Sequence, residues 1–218
     1  MSQIRVFWQA LLVTVFIFAA GIVVGIILEN MRLGKVQGLY EQSEIDLLDI
    51  KLQSEIYSSG KFNCSVAIKE NLDFAERVYE EAKILDRYEQ ASRLTEKLAI
   101  EHKKYDILRA VLFLNSLKIK KQCNSSYHNV VYFYSYSDPR LEIKARQNVF
   151  SKLLKELKEK RGEDILLIPM AGNNNVISIK IILSNYKIKE EDLPVILIDE
   201  KIKVTELETL EELEKRLK

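Results

Sequence analysis

From Val6 to Leu28 the chain carries no charged side chain and a single glutamine. At about 1.5 Å per residue, such a run crosses a hydrocarbon core of about 30 Å as one helix. It shows no polar side, which a soluble core helix requires. It also continues well past Ala19-Ala20, beyond the about 7–15 apolar residues of a signal peptide. The pattern predicts an uncleaved anchor over residues 1–35 that contacts lipid through residues 6–28. Phe7 and Trp8 fall where amphipathic rings favour an interface. Gly21 and Gly25 form a GxxxG, the spacing that lets two spans approach closely in a homodimer. Arg5 precedes the run; Arg32 and Lys35 follow it, offset by Glu29, so the positive-inside rule does not orient it.

The next stretch changes period. Gly34 and Gly38 read as a short hinge, after which apolar residues recur at helical spacing from Leu39 to Ser58. Gly60 stops that helix and Asn63 is placed to cap the next. Two long patterns follow, Val66 to Leu94 and Leu98 to Ile119, which read as an antiparallel helical hairpin over residues 36–127. No proline occurs before Asp138, as uninterrupted helices require.

Beyond Gln122 short β-branched runs alternate with helical ones. Asn129 to Tyr134 and Asp164 to Pro169 read as strands flanking a helix over Leu141 to Leu157, whose apolar face includes Leu141 and Val149. Asn173-Asn174-Asn175 offers a cap for a helix through Leu183. Pro194 opens a buried-type strand, Glu200-Lys201 makes a turn to a strand over Ile202 to Thr205, and Leu207 to Leu217 is the last helix. The order β-α-β-α-β-β-α demands a parallel crossover and an antiparallel hairpin, closed as a mixed sheet with helices on both faces.

Composition narrows the chemistry. Thirty-three basic against 32 acidic residues leave a net charge of +1, so no basic face for nucleic acid is implied. Cys64 and Cys123 are the only cysteines and lie at two ends that meet in an antiparallel hairpin. A structural disulfide, two unrelated buried thiols or a catalytic pair are the alternatives; the first places the bulk of the chain in an oxidising, extracytoplasmic compartment. His102, in a charged helical stretch, and His128, just before a strand, read as structural or solvated, with no metal or cofactor implied. Asn63-Cys64-Ser65 and Asn124-Ser125-Ser126 match the glycosylation triplet, a common chance match.

One stretch, VVYFYS followed by Asp138-Pro139-Arg140-Leu141 at a helix entrance, resembles the strand, loop and helix of the thioredoxin-like family. A second βα unit and Asp192-Leu193-Pro194-Val195-Ile196-Leu197-Ile198 extend the resemblance over residues 128–218; the family carries a proline, usually cis, before this strand. The resemblance implies an α/β thioredoxin-like domain behind a transmembrane helix and an α-helical hairpin. It sets Asp138 and Leu141 where the family has its two cysteines, with Asp138 as helix cap, Pro139 in the first turn and Leu141 a packing residue. A carboxylate exchanges no disulfides. The expectation is a membrane-anchored, non-catalytic interaction module on the cell membrane. Ser137, Asp138, Arg140, Leu193 and Pro194 would line a groove for another protein or extended peptide. The alternative is a thiol-disulfide oxidoreductase using Cys64 and Cys123.

Overall fold

A computed structural model describes residues 2–91, 96–136, 138 and 140–217, and within these leaves aside the side chains of 2–5, 29–30, 32–40, 43, 84–91 and 96–98. Ser137 and Pro139 therefore lie outside the described residues. The chain divides into two compact units, Met1–Gln42 and Ser43–Lys218.

The first unit consists of helix α1 (Ser2–Ser58), whose last turns belong to the second. Its stretch Val6–Leu28 is long and apolar enough to cross a membrane, and side chains such as Phe16 and Phe18 are 74% and 70% exposed. The helix runs through Gly34 and Gly38, so the hinge read there is not a break. Glycine costs only about 1 kcal/mol against alanine inside a helix, and Leu33, Lys35, Gln37 and Leu39 around the pair all favour it.

The second unit is a two-sided sandwich. Strands β1 (His128–Tyr134), β2 (Ile165–Ala171), β3 (Val195–Ile198) and β4 (Ile202–Val204) form one mixed sheet in the order β2-β1-β3-β4. β1 runs parallel to β2 with His128 opposite Ile165, and antiparallel to β3 with Val131 opposite Leu197; β3 and β4 form the hairpin. Pro169 lacks a backbone N–H, which β2 tolerates because it is an edge strand. The sheet's two faces follow the period of two. Val131, Phe133, Ile168, Met170, Val195 and Leu197 pack on one side with Phe74 and Val78 of α2 (Cys64–Ala91), Leu108, Leu112 and Phe113 of α3 (Glu96–Gln122), Ile50 of α1 and Ile182 of α5 (Ile177–Asn185). Val130, Tyr132, Ile196, Ile198 and Val204 pack on the other with Phe150, Leu154 and Leu157 of α4 (Leu141–Arg161) and Leu213 of α6 (Leu210–Lys215). The helical hairpin thus shares one core with the sheet.

Local chemistry sets the boundaries. Gly60 ends α1 at φ +70°, and the Asn63 carboxamide oxygen accepts the Ser65 and Val66 N–H groups at the start of α2. α6 begins later than its hydrophobic period, at Leu210, because Thr209 and Glu212 form a capping box. The turn between β3 and β4 puts Asp199 and Glu200 at φ +45° and +60°, the twist a tight hairpin favours. Neither is glycine. Asp199 is held by the Asn129 N–H at 3.0 Å, Lys120 at 2.6 Å and His128 at 2.5 Å, which offsets the backbone strain.

Cys64 at the start of α2 and Cys123 just after α3 are at disulfide distance, with Cα atoms 5.6 Å apart at a sequence separation of 59. Cys123 is 4% exposed and packs with Tyr57, Ala67 and Ile119. Closing a loop of that length removes unfolded-chain entropy worth about 4 kcal/mol. Replacing both residues by serine is expected to lower stability in urea by about 2–4 kcal/mol at pH 7, with the far-ultraviolet circular dichroism of the folded state retained.

Candidate functional site

In open α/β sheets ligands meet the carboxyl ends of parallel strands, and here β1 and β2 end side by side at Tyr134 and Ala171. Beyond them the chain builds three connected polar clusters. The first is the loop into α4. Asp138 is 7% exposed. Its Oδ1 accepts the Arg140 N–H at 2.9 Å and Nε–H at 3.0 Å; its Oδ2 accepts Arg140 Nη2–H at 2.7 Å and the Ser135 hydroxyl at 3.1 Å. The Arg140 side chain, its backbone N–H and Ser135 hold this carboxyl well below the usual range.

Asp138 is not the cap of α4. That place is taken by Arg140, without a side-chain bond, and Leu141 is the first helical residue. Leu141 is 82% exposed and Val149 47%, so neither belongs to the apolar face; Ile143, Phe150, Leu153, Leu154 and Leu157 make it. With 3.6 residues per turn, Leu141 lies about half a turn around α4 from Phe150 and Leu157, on the side away from the core. Of the residues expected to line a groove, Leu193 and Pro194 are buried and Leu193 belongs to the main core. The Leu193-Pro194 bond is cis. Among the described residues of that set, Arg140 alone presents its side chain, 63% exposed.

The second cluster joins α4 and β2 to the end of β1. Gln147 accepts the Ser135 N–H at 2.8 Å and donates to the Ser135 carbonyl at 3.2 Å, acting as a short strand partner. Asn173 accepts the Tyr136 N–H at 2.6 Å and donates to the Ser135 hydroxyl at 2.8 Å. The asparagine run therefore does not cap α5, whose cap residue is Val176; Asn173 and Asn174 spend their amides across the sheet end, while Asn175 Oδ1 accepts from Lys180 Nζ at 3.0 Å. Beside them Gly172 leaves no room for a side chain, since a Cβ would stand 2.8 Å from Leu193 Cδ1.

The third cluster is one that sequence reading missed. His102, read as structural or solvated, is 7% exposed, and Asp106 is fully buried. His102 Nδ1 lies 3.2 Å from Asp106 Oδ2, and Nε2 lies 3.0 Å from the Tyr134 hydroxyl. Asn174 donates to Asp106 Oδ2 at 2.9 Å, the Ala171 N–H donates to Oδ1 at 3.1 Å, and Arg109 Nη1 stands 3.6 Å away. The Tyr136 ring covers the imidazole, centroid to centroid 4.1 Å. The signal was the i,i+4 spacing of His102 and Asp106 where α3 turns apolar.

The chain matches no family model, no curated protein and no solved structure.

Chemically, the two carboxylates at this end of the sheet are fully engaged. The Asp138 carboxylate accepts four hydrogen bonds and Asp106 is engaged from every side. Among the described residues, no group of three or more His, Cys, Asp or Glu could hold a metal ion. Two surface hollows lie elsewhere: one is lined by Asp73, Glu76, Lys83, Lys155 and Lys158 between α2 and α4, a second by Lys160, Arg161, Glu211 and Glu214 between α4 and α6. Both are charged with mixed sign and shallow.

Two outcomes follow. Gly172→Ala is expected to cost about 1–3 kcal/mol, read by urea denaturation, because Leu193 is 1% exposed and has nowhere to move. The depressed pKa of Asp138 contributes stability that is full above the unfolded value of about 3.9 and is lost as pH falls through the folded one. Thermal midpoints between pH 5 and pH 2 should therefore fall more steeply in the parent chain than in Asp138→Asn.

Proposed function

We propose that this chain is a membrane-anchored, redox-inactive thioredoxin-like module that docks another protein outside the cytoplasm. The sheet order β2-β1-β3-β4, with β1 parallel to β2 and a cis proline opening β3, supports the thioredoxin-like reading. The observation that carries the function is the state of Asp138. It stands where the family places its attacking thiolate and spends every oxygen lone pair inside its own loop. Such a group neither attacks a disulfide nor shuttles a proton. It does fix Arg140.

What the loop offers outward is Arg140 and, beside it, Leu141. An arginine, here already oriented by a carboxylate, is among the residues enriched at protein-contact hot spots, and the exposed Leu141 beside it adds apolar surface. Redox work by Cys64 and Cys123 finds less support: an attacking thiolate needs access to a sulfur, and Cys123 is buried among Tyr57, Ala67 and Ile119. The oxidised pair favours an extracytoplasmic side for the second unit.

Insulin reduction by dithiothreitol is expected to proceed at the uncatalysed rate with the purified chain and equally with its Cys64→Ser, Cys123→Ser variant. A photo-reactive residue at Leu141 should cross-link to one discrete polypeptide on intact cells, and Arg140→Glu should reduce that product several-fold. Catalysed reduction, or labelling at Leu141 no different from labelling at Lys155, contradicts the proposal.

A further inference from the structure

The two ends of the helical hairpin that meet at Cys64 and Cys123 each carry an Asn-X-Ser triplet, Asn63-Cys64-Ser65 and Asn124-Ser125-Ser126. By sequence the two are equivalent acceptors for an N-linked glycan; by structure they are not. Asn63 is the cap of α2. Its carboxamide oxygen accepts the Ser65 hydroxyl at 2.7 Å, together with the Ser65 and Val66 N–H groups at 3.0 and 3.3 Å. The amide and the hydroxyl of this triplet are thus turned onto each other, and the cysteine between them is paired with Cys123. Releasing them would cost the cap, about 1 kcal/mol.

Asn124 is placed otherwise. Helix α3 ends at Gln122, and the Ser125 N–H donates to the Cys123 carbonyl at 2.8 Å, so Asn124 is the middle residue of a three-residue turn. Residues 124–127 belong to no helix or strand, and Asn124 and Ser126 are both exposed. Among the described residues, no hydrogen bond engages the Asn124 carboxamide.

We propose that Asn124 is the acceptor of an N-linked oligosaccharide and that Asn63 is masked in the folded chain. In the transfer, Asn124 Nδ2 attacks the anomeric carbon of an oligosaccharide carried on a lipid phosphate or pyrophosphate. A C–N bond forms as the anomeric C–O bond breaks. The lipid phosphate leaves with the bonding electrons, and one Nδ2 proton passes to a base of the transferring enzyme. Ser126 supplies the hydroxyl of the triplet. The proposal rests on the extracytoplasmic placement of the second unit, which the oxidised Cys64–Cys123 pair favours. It is also compatible with docking. The Asn124 loop leads into the amino end of β1, whereas Arg140 and Leu141 follow its carboxyl end. Seven residues of strand at about 3.3 Å each separate the two ends by roughly 20 Å, so a bulky, hydrated substituent at Asn124 leaves the docking loop clear.

The test uses the full chain isolated from its native membranes. Glycopeptide mass spectrometry should find a glycan on the peptide holding Asn124, at several-fold higher occupancy than on the peptide holding Asn63. Asn124→Gln and Ser126→Ala should each abolish it, and Ser126→Thr, which keeps a hydroxyl, should retain it; circular dichroism and the pairing of Cys64 with Cys123 check that each variant is folded. A bare Asn124, or a glycan confined to Asn63, overturns the proposal. A membrane-impermeant maleimide applied to intact cells, with Lys152→Cys on the exposed side of α4 as its target, separates the causes. Labelling with Asn124 bare rejects the acceptor site and leaves the extracytoplasmic docking reading standing. Labelling only after lysis rejects both.

Discussion

A carboxylate with no exposed surface must be paired, because an isolated buried charge costs several kcal/mol, and Asp106 meets that demand with groups from three places in the fold. His102 and Arg109 come from its own helix, the Ala171 N–H from the end of β2, and the Asn174 amide from the loop that follows. The helix that closes the disulfide-linked hairpin is thereby fastened to the carboxyl edge of the sheet at one depth. His102 extends the fastening to Tyr134 at the end of β1. Hydrophobic contact between α3 and the sheet is non-directional; the Asp106 cluster supplies direction, since a slide of one turn would strand the charge.

From this constraint the character of the sheet end follows. In a redox domain of this topology the same edge must keep a thiolate accessible and a peptide surface open. Here Gln147, Asn173, Asn174 and Asp138 fill it with mutually satisfied hydrogen bonds, and such networks rigidify what they span. In the proposed reading the thioredoxin-like frame has become a platform, and recognition moves outward from the buried Leu193 and Pro194 to the exposed Arg140 and Leu141. A stiff platform suits docking, because little side-chain freedom is lost on contact.

The strands, their order along the chain and the two-faced burial were legible because β-branched runs of four to seven residues alternate cleanly with amphipathic helices. Gly60, Asn63 and the Glu200-Lys201 turn announced themselves through local chemistry, and the matched hairpin ends brought Cys64 and Cys123 together. The failures have one physical origin. Leu141, Val149 and the asparagine run were assigned from their neighbours in sequence, whereas their surroundings are decided by segments tens of residues away. Which side of α4 faces inward is settled by the strands it packs on, and that side, with Phe150 and Leu157, is turned about half a circle from Leu141. His102 and Asp106 look like a solvated pair in a charged helix until the sheet end is laid against them, and no local period encodes that contact. Gly34 and Gly38 misled in the other direction, since a helix propensity penalty is not a break.

If buried polar contacts hold the carboxyl end of the sheet as a closed cap, its amides open only when the whole domain does. Native-state hydrogen exchange at the amides of Ala171 and Ser135, which donate to Asp106 and Gln147, addresses it directly. Exchange at the free energy of global unfolding, matching Val131 and Phe133 in the centre of β1, is the predicted result. Exchange through a low-energy local opening while β1 stays protected would mean that this end is a mobile mouth, and the account would be contradicted.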